Sequence, residues 1–124
     1  MNRIVILGTG HATVTRCYNT CFVLQTDTTT LLVDAGGGNG ILQRLKQTGI
    51  AIKDLHHMYV THAHTDHILG TIWVIRMVLS AAGYEGRFHV YSHAKVLRVI
   101  NMICGETLSA KHRRLMGERV VMHE

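Results

Sequence analysis

The segment THAHTDH, residues 61–67, concentrates three histidines and one aspartate on a short stretch of chain. The positions His62, His64, Asp66 and His67 form an H-x-H-x-D-H pattern. Histidine is frequent here, at 10 of 124 residues, yet a shuffled chain of this composition would contain the pattern with a probability of only about 0.002. Chance is therefore a poor explanation, and the flanking residues indicate what the cluster does.

The cluster lies between two segments of different periodicity. HMYVT, residues 57–61, is rich in β-branched and aromatic residues and predicts a strand. After the cluster, Ile68, Ile72, Ile75 and Leu79 recur near helical spacing, which predicts a helix that begins at or just after Asp66. The sequence thus predicts a loop that joins a strand to a helix and carries all four polar side chains.

The remainder of the chain alternates between strand and helix patterns. Apolar runs predict strands at 3–8, 18–25, 30–35, 87–92 and 119–123. Helices are predicted after Asn39 and Ser92, both as N-caps, and from about 106 to 116. Apolar residues on both faces of the first strands predict a sheet that is covered on both sides. These elements place the chain in the α+β class.

Composition excludes several classes of protein. A hydrophobic fraction of 47% provides a packed core, and the N-terminus lacks the features of an export signal, so we expect a cytoplasmic protein. The longest apolar stretch, 68–82, is interrupted by Arg76 and is too short to cross a bilayer, so no membrane association is expected. Cys17, Cys21 and Cys104 are predicted to be reduced core residues, with a C-x₃-C metal site as the weaker alternative.

The net charge of +5 is compatible with a polyanionic partner. The basic residues are nevertheless scattered, and the densest cluster is Lys111, His112, Arg113 and Arg114. A solvated helix face is the simpler interpretation of that cluster, and a nucleic-acid contact is the alternative.

The residue types of the 61–67 loop suit metal binding. In an extended segment, His62 and His64 point the same way and can ligate one ion, whereas Asp66 and His67 turn away and can reach a second. Imidazole and carboxylate suit Zn²⁺, and also Mn²⁺ or Fe. Two adjacent ions would supply hydroxide at neutral pH for hydrolysis. An exposed loop without metal is the alternative.

The histidines outside the loop stay unassigned: His11, His56, His57, His89, His93, His112 and His123.

The run YVTHAHTDHILG resembles the metal-binding signature of the metallo-β-lactamase superfamily. Three further runs resemble the superfamily's first strands in the same order, and they are similar to the ribonuclease Z branch: RIVILGTGHA, YNTCFVLQ and TLLVDAGGG. The resemblance implies an αβ/βα sandwich, with residues 1–124 as the N-terminal part of one domain and hence an incomplete copy. It also implies further ligands beyond Glu124, namely a histidine, a metal-bridging aspartate and a final histidine.

The resemblance also assigns roles to residues of this chain. His62 and His64 match ligands of the first metal, and Asp66 and His67 match ligands of the second. Asp66 additionally matches a residue that transfers protons, so it is the candidate catalytic residue. Asp34 matches an aspartate that supports the metal loop, and a turn cap before the glycines is the alternative.

Three functional hypotheses follow. The first is a metal-dependent hydrolase that acts on an RNA-type phosphodiester or on a small-molecule ester, with homodimer formation as an expectation from similar proteins. The second is a truncated, non-catalytic fragment that binds metal or a partner. The third is a basic nucleic-acid-binding module, whose binding would depend on salt and survive loss of His62 and His64.

Overall fold

The computed structural model describes residues 2–124 and arranges them as one sheet with helices between the later strands. The strands are β1 (Arg3–Gly8), β2 (Cys21–Gln25), β3 (Thr30–Val33), β4 (His57–Tyr59), β5 (Phe88–Tyr91) and β6 (Val120–His123). The helices are α1 (Gly40–Gln47), α2 (Thr65–Ser80), α3 (Ala94–Thr107) and α4 (Ala110–Leu115), with a 3₁₀ turn at Ile52–Asp54.

The sheet order follows the chain order from β1 to β6. The first three strands pair antiparallel, and β3, β4, β5 and β6 pair parallel. Each parallel connection contains a helix, as a crossover between parallel strands requires. The carboxyl ends of β3 and β4 therefore meet at one edge of the sheet, and the loop 61–67 leaves from that edge.

The helices cover one face of the sheet. On that face Val23, Leu32, Met58 and Val90 are fully buried on neighbouring strands. The facing helix residues include Ile41 and Leu45 of α1, which are four apart and thus lie on one side of the helix. This layer is the hydrophobic core, and it fixes where α2 begins relative to the sheet edge.

The opposite face of the sheet corrects one prediction. We expected both faces to be covered, but within residues 2–124 Ile4 and Ile6 of β1 remain 63% and 56% exposed, and Tyr59 of β4 is also exposed. Apolar residues do lie on both faces of these strands, but a strand pattern does not specify which element covers a face. We refer to this surface as the open face.

Histidines occupy the β4 to β6 part of the open face. His57 and His89 are paired in register on adjacent strands, and their rings stack with centroids 5.4 Å apart. His89 Nδ1 lies 2.8 Å from Nε2 of His123, so one imidazole donates a hydrogen bond to the other. Burial, followed by the neighbouring histidines, lowers the pKa values of His57 and His89. Neutral rings are consistent with this hydrogen-bonded cluster.

Several predicted boundaries and caps differ from the structure. The side chain of Asn39 makes no capping hydrogen bond, although α1 begins directly after it. Ser92 does not cap α3, because its hydroxyl is buried and donates to the carbonyl of Val60 at 2.6 Å. The basic helix begins at Ala110 rather than near Glu106, since Ser109 accepts from the His112 amide and caps it. For Ser92 and Ser109, a hydrogen bond to a nearby backbone group determines which polar side chain caps the helix.

The cysteines also differ in part from the expectation. All three are free, and Cys21 and Cys104 are buried as predicted, but Cys17 is exposed. Burial raises the pKa of the Cys21 thiol to about 12, so the free thiol is protonated at neutral pH.

Among the helices of residues 2–124, none has the length and hydropathy that a bilayer span requires.

Gly70 allows α2 to lie against the end of β3. A Cβ atom at this position would stand 1.9 Å from the carbonyl oxygen of Ala35, which is closer than any real contact. The Gly70 amide also donates to the carbonyl of Gly36 at 2.8 Å. The absence of a side chain therefore brings the first turns of α2 to the sheet edge where the polar loop lies.

Replacing Gly70 with alanine should lower the free energy of unfolding by about 1–3 kcal/mol, because backbone atoms would have to move apart. Alanine should have the opposite effect at Gly105 in α3, where a Cβ atom meets nothing within 4 Å. There the better helix propensity should raise the free energy of unfolding by up to about 1 kcal/mol. Denaturant titration measures both, and equal effects at the two positions would contradict the close approach.

Candidate metal centre

The candidate centre forms where β3, β4 and α2 meet. Asp34 follows β3 directly and adopts a left-handed backbone conformation with φ of 58°. Thr61 to His64 follow β4 as an extended loop, and α2 begins at Thr65. Because the carboxyl ends of the two parallel strands lie side by side, Asp34 reaches across to the loop although 27 residues separate it from Thr61.

The imidazoles of the loop converge. The ring centroids of His62 and His64 are 4.6 Å apart, and those of His62 and His67 are 4.1 Å apart. Asp34, His62 and His67 each offer a ligand atom within 4.8 Å of the others. Asp66 is also adjacent, with Oδ2 3.2 Å from His67 Nε2. The structure thus brings together all four residues of the H-x-H-x-D-H pattern.

One expectation about the arrangement is wrong. Asp66 and His67 were expected to turn away from the first pair of histidines, yet the ring of His67 is nearer to His62 than the ring of His64 is. The reason is the bond between His67 and Asp34, which pulls the imidazole back toward the end of β3. The expectation is therefore wrong for the ring of His67, and the division of the four side chains between two ions stays a prediction.

Asp34 organises this cluster through three hydrogen bonds. Its Oδ1 accepts from the Thr61 amide at 2.8 Å, and its Oδ2 accepts from the Thr61 hydroxyl and from His67 Nδ1, both at 2.8 Å. Asp34 is buried, so these donors replace water around its carboxylate. Both oxygens are already engaged, which favours Asp34 as a residue that orients the histidines rather than as a direct ligand.

This network determines which nitrogen of each histidine carries the proton. A carboxylate accepts only, so His67 must donate to Asp34 from a protonated Nδ1. The Thr61 hydroxyl gives its single proton to Asp34, and His62 Nδ1, 2.7 Å away, must therefore donate to the hydroxyl oxygen. Both rings, when neutral, keep Nε2 as an unprotonated lone pair, which is the form that ligates metal.

The donor set fits divalent cations. A neutral His67 would direct the lone pair of Nε2 at the Asp66 carboxylate, which is an unfavourable contact between two electron-rich atoms. A cation between them, or a proton on one of them, makes the same geometry favourable. His64 is exposed and takes no part in capping α2 with its side chain, so its imidazole is available to the cluster.

The sequence did not reveal two contributors to this region. Thr61 links Asp34 to His62 and was identified only as the end of a strand. Tyr18 was assigned to a strand, but its hydroxyl lies 2.5 Å from the carbonyl oxygen of Ala35 and 2.8 Å from that of Gly38. Burial raises the pKa of Tyr18 to about 12, so the hydroxyl keeps its proton and holds the segment after Asp34. The only sequence signal for either residue was the position of Thr61 directly before the first histidine of the loop.

Several known proteins are similar to this chain in sequence or in fold. The ribonuclease Z of Streptomyces avermitilis is 35% identical over 79 residues, which are 63% of this chain and 26% of that protein. The crystal structure of the short form of human tRNase Z superposes with a TM-score of 0.78 at 20% identity, over all of this chain and 44% of that one. Zinc-bound PqqB from Methylobacterium extorquens superposes with a TM-score of 0.65 at 14% identity, over 99% of this chain and 48% of that one.

The fold and the histidine loop define a member of the metallo-β-lactamase superfamily with a ribonuclease Z-like relationship, which confirms the resemblance and the fold class. The match is to part of that fold, since the chain spans about a quarter of the length of the ribonuclease Z. Residues 2–114 match the family model of the anti-Pycsar protein Apyc1, and the chain belongs to that family.

Asp34→Asn should test the orienting network without straining the backbone, because asparagine also tolerates a left-handed conformation. An amide cannot accept at both of its terminal atoms, so at least one donor would lose its partner. We expect the free energy of unfolding to fall by about 1–3 kcal/mol.

We also expect the ¹⁵N shifts of the His67 ring to show a changed tautomer in this variant. Asp54→Asn on the exposed 3₁₀ turn is the matched control and should change the free energy of unfolding by less than about 0.5 kcal/mol. An unchanged His67 spectrum in Asp34→Asn would show that the carboxylate does not fix that ring.

Proposed function

We propose that this protein is a metal-dependent hydrolase that cleaves a phosphodiester. The observation that carries the proposal is the hydrogen-bond network from Asp34 through Thr61, which leaves Nε2 of His62 and His67 free in one cluster. A buried carboxylate that orients imidazole rings through hydrogen bonds is typical of sites where histidines ligate metal.

The ligands we propose are the four residues of the loop. His62 and His64 would hold one ion, and Asp66 and His67 would hold a second. Zn²⁺ is the favoured ion because imidazole and carboxylate suit it and because the structural neighbour PqqB is zinc-bound, while Mn²⁺ and Fe are the alternatives. When bound, the ions supply a nucleophilic water at neutral pH and neutralise negative charge on the phosphorus oxygens.

Asp66 is the residue we propose for proton transfer. It is half-buried, its Oδ2 lies 3.2 Å from His67 Nε2, and it also lines an open cleft. A carboxylate at this position can take the proton of the attacking water at Oδ2 and deliver it to the departing ester oxygen. Asp34 cannot take this role, because its oxygens are engaged by Thr61 and His67.

A phosphodiester is the substrate class we favour. The relatives named ribonuclease Z and tRNase Z point to an RNA-type diester. The candidate centre also includes residues of the first turn of α2, and helix N-termini favour anionic groups. A small-molecule diester, or a carboxylic, thio- or sulfate ester, is the alternative within the same chemistry.

A non-catalytic role is the second candidate. The open face keeps large apolar side chains exposed within residues 2–124, and the chain spans 26% of the ribonuclease Z that it matches. We propose that residues 1–124 are the N-terminal part of a single domain, and in this second candidate that part binds metal or a partner without turning over substrate. A cytoplasmic location and homodimer formation stay predictions.

Activity tests the proposed roles. The full-length protein supplied with zinc or manganese should hydrolyse bis(p-nitrophenyl) phosphate, releasing p-nitrophenolate. His64→Ala should lower kcat/KM by about a hundredfold or more, since one ligand of the centre is lost. The fall should appear mainly in kcat, because the loss affects the reacting groups rather than substrate binding.

His112→Ala on α4 is the matched control, since it removes an imidazole from a helix remote in sequence from the loop 61–67. Its kcat/KM should stay within about twofold of the natural protein. Unchanged turnover in His64→Ala would show that the loop is not the catalytic centre.

Metal analysis separates the catalytic from the non-catalytic candidate. We expect about two tightly held ions per full-length protein, because paired ions are the arrangement used for hydrolytic displacement. Removing them with a chelator should lower Tm, since an ion that binds only the folded state stabilises it by mass action. Elemental analysis and thermal scans measure both. One weak ion or none would favour the non-catalytic fragment.

A further inference from the structure

A cleft of about 380 Å³ adjoins the candidate metal centre. One wall is the loop between β1 and β2, the second is the glycine segment 36–38, and the third is the first turn of α2. Asp66 lines the cleft and is at the same time within 3.2 Å of His67. The cleft therefore shares Asp66 with the candidate metal centre.

The walls of this cleft are held in place by side chains from the β1–β2 loop. The Tyr18 hydroxyl bonds to the carbonyls of Ala35 and Gly38, at 2.5 and 2.8 Å. Asn19 accepts from the Gly37 amide at 3.0 Å and donates to the carbonyl of His11 at 3.2 Å. These bonds tie the loop to the glycine segment, so the cleft is preformed and does not depend on closure around a ligand.

The residues that line the cleft do not suit the phosphate group of the substrate as the occupant of the cleft. No lysine or arginine lines this cleft within the described chain, and Asp66 contributes negative charge. Apolar carbon comes from Ala12 and Leu69, and polar atoms come from backbone groups and Asn19. An uncharged group with both apolar and polar atoms matches such a mixed lining, and the volume is near the lower end of ligand pockets, about 300–1,000 Å³.

Gly38 lines the cleft and has open space at its Cβ position. A Cβ atom at this position would meet nothing within 4 Å, in contrast to Gly37, where it would come within 3.1 Å of Asn19 Oδ1. Its φ lies outside the left-handed region, so a larger residue is tolerated by the backbone. Because Gly38 lines the cleft, a side chain at position 38 would begin at the cleft wall in space that is free of other atoms.

We infer that this cleft receives the uncharged, ring-sized organic group of the phosphodiester substrate, and that Gly38 is a specificity-determining residue that limits the size of that group. The inference rests on the proposed function, because it places the phosphorus at the adjacent centre. Tyr18 and Asn19 are positioning residues, since they act through the glycine segment.

The test uses Gly38→Leu in the full chain, with Gly105→Leu as the matched control, because Gly105 also has open space for a Cβ atom but lies on α3. The probe is p-nitrophenyl phosphate, titrated into metal-loaded protein and followed by ¹H–¹⁵N NMR. We expect shifts at the amides of Gly37, Gly38 and Thr65. Gly38→Leu should weaken Kd by about tenfold, and Gly105→Leu should change it by less than about twofold.

Turnover provides the second measurement. Gly38→Leu should lower kcat/KM for bis(p-nitrophenyl) phosphate by about tenfold, and should lower it less for methyl p-nitrophenyl phosphate, which can place its methyl group in the reduced space. If Gly38→Leu fails to fold, Ala12→Trp narrows the cleft from its exposed wall and carries the same expectations.

The outcomes separate this inference from the proposed function. Binding at the cleft without release of p-nitrophenolate by the natural protein would refute the proposed hydrolysis and support the inference that the cleft binds the organic group. Hydrolysis with unchanged Kd and unchanged substrate preference in Gly38→Leu would refute the cleft and leave hydrolysis standing. Absence of binding, or NMR shifts confined to other surfaces, would also overturn the inference.

Discussion

The buried carboxylate of Asp34 is the constraint on which the centre depends. It receives one backbone and two side-chain hydrogen bonds, and each donor belongs to the loop after β4 or to the first turn of α2. Because a carboxylate cannot donate, it dictates the protonation of His67 directly and that of His62 through Thr61. A single acidic group thereby sets both the direction and the chemical form of two imidazoles.

The sheet makes this arrangement possible. Asp34 and Thr61 are distant in sequence but adjacent in space because β3 and β4 are parallel neighbours whose carboxyl ends coincide. Gly70 then lets α2 lie against the carbonyl of Ala35, which brings His67 within reach of Asp34. The left-handed conformation of Asp34 turns the chain sharply at the end of β3 and directs it into the glycine segment.

The two faces of the sheet differ in chemical character. The covered face is apolar and buried, whereas the open face combines exposed isoleucines on β1 with a cluster of histidines on β4 to β6. Apolar surface of this kind favours burial by roughly 25 cal/mol per Å². The open face is accordingly a region where further contacts would stabilise the fold, and the metal loop lies at the sheet edge rather than on that face.

The sequence by itself determined the elements, the position of the loop between a strand and a helix, and the superfamily, because periodicity and ligand spacing are local properties. It predicted α2 to within about two residues and placed Asn39 at the N-cap of α1, while the cap at Ser92 was wrong because the Ser92 hydroxyl donates to the carbonyl of Val60. Only the tertiary structure decided that His67 turns toward His62, that Thr61 joins Asp34 to His62, and that Tyr18 holds the glycine segment. Those contacts join residues 17 to 33 positions apart or depend on such contacts, so they follow from strand pairing and helix packing rather than from local spacing.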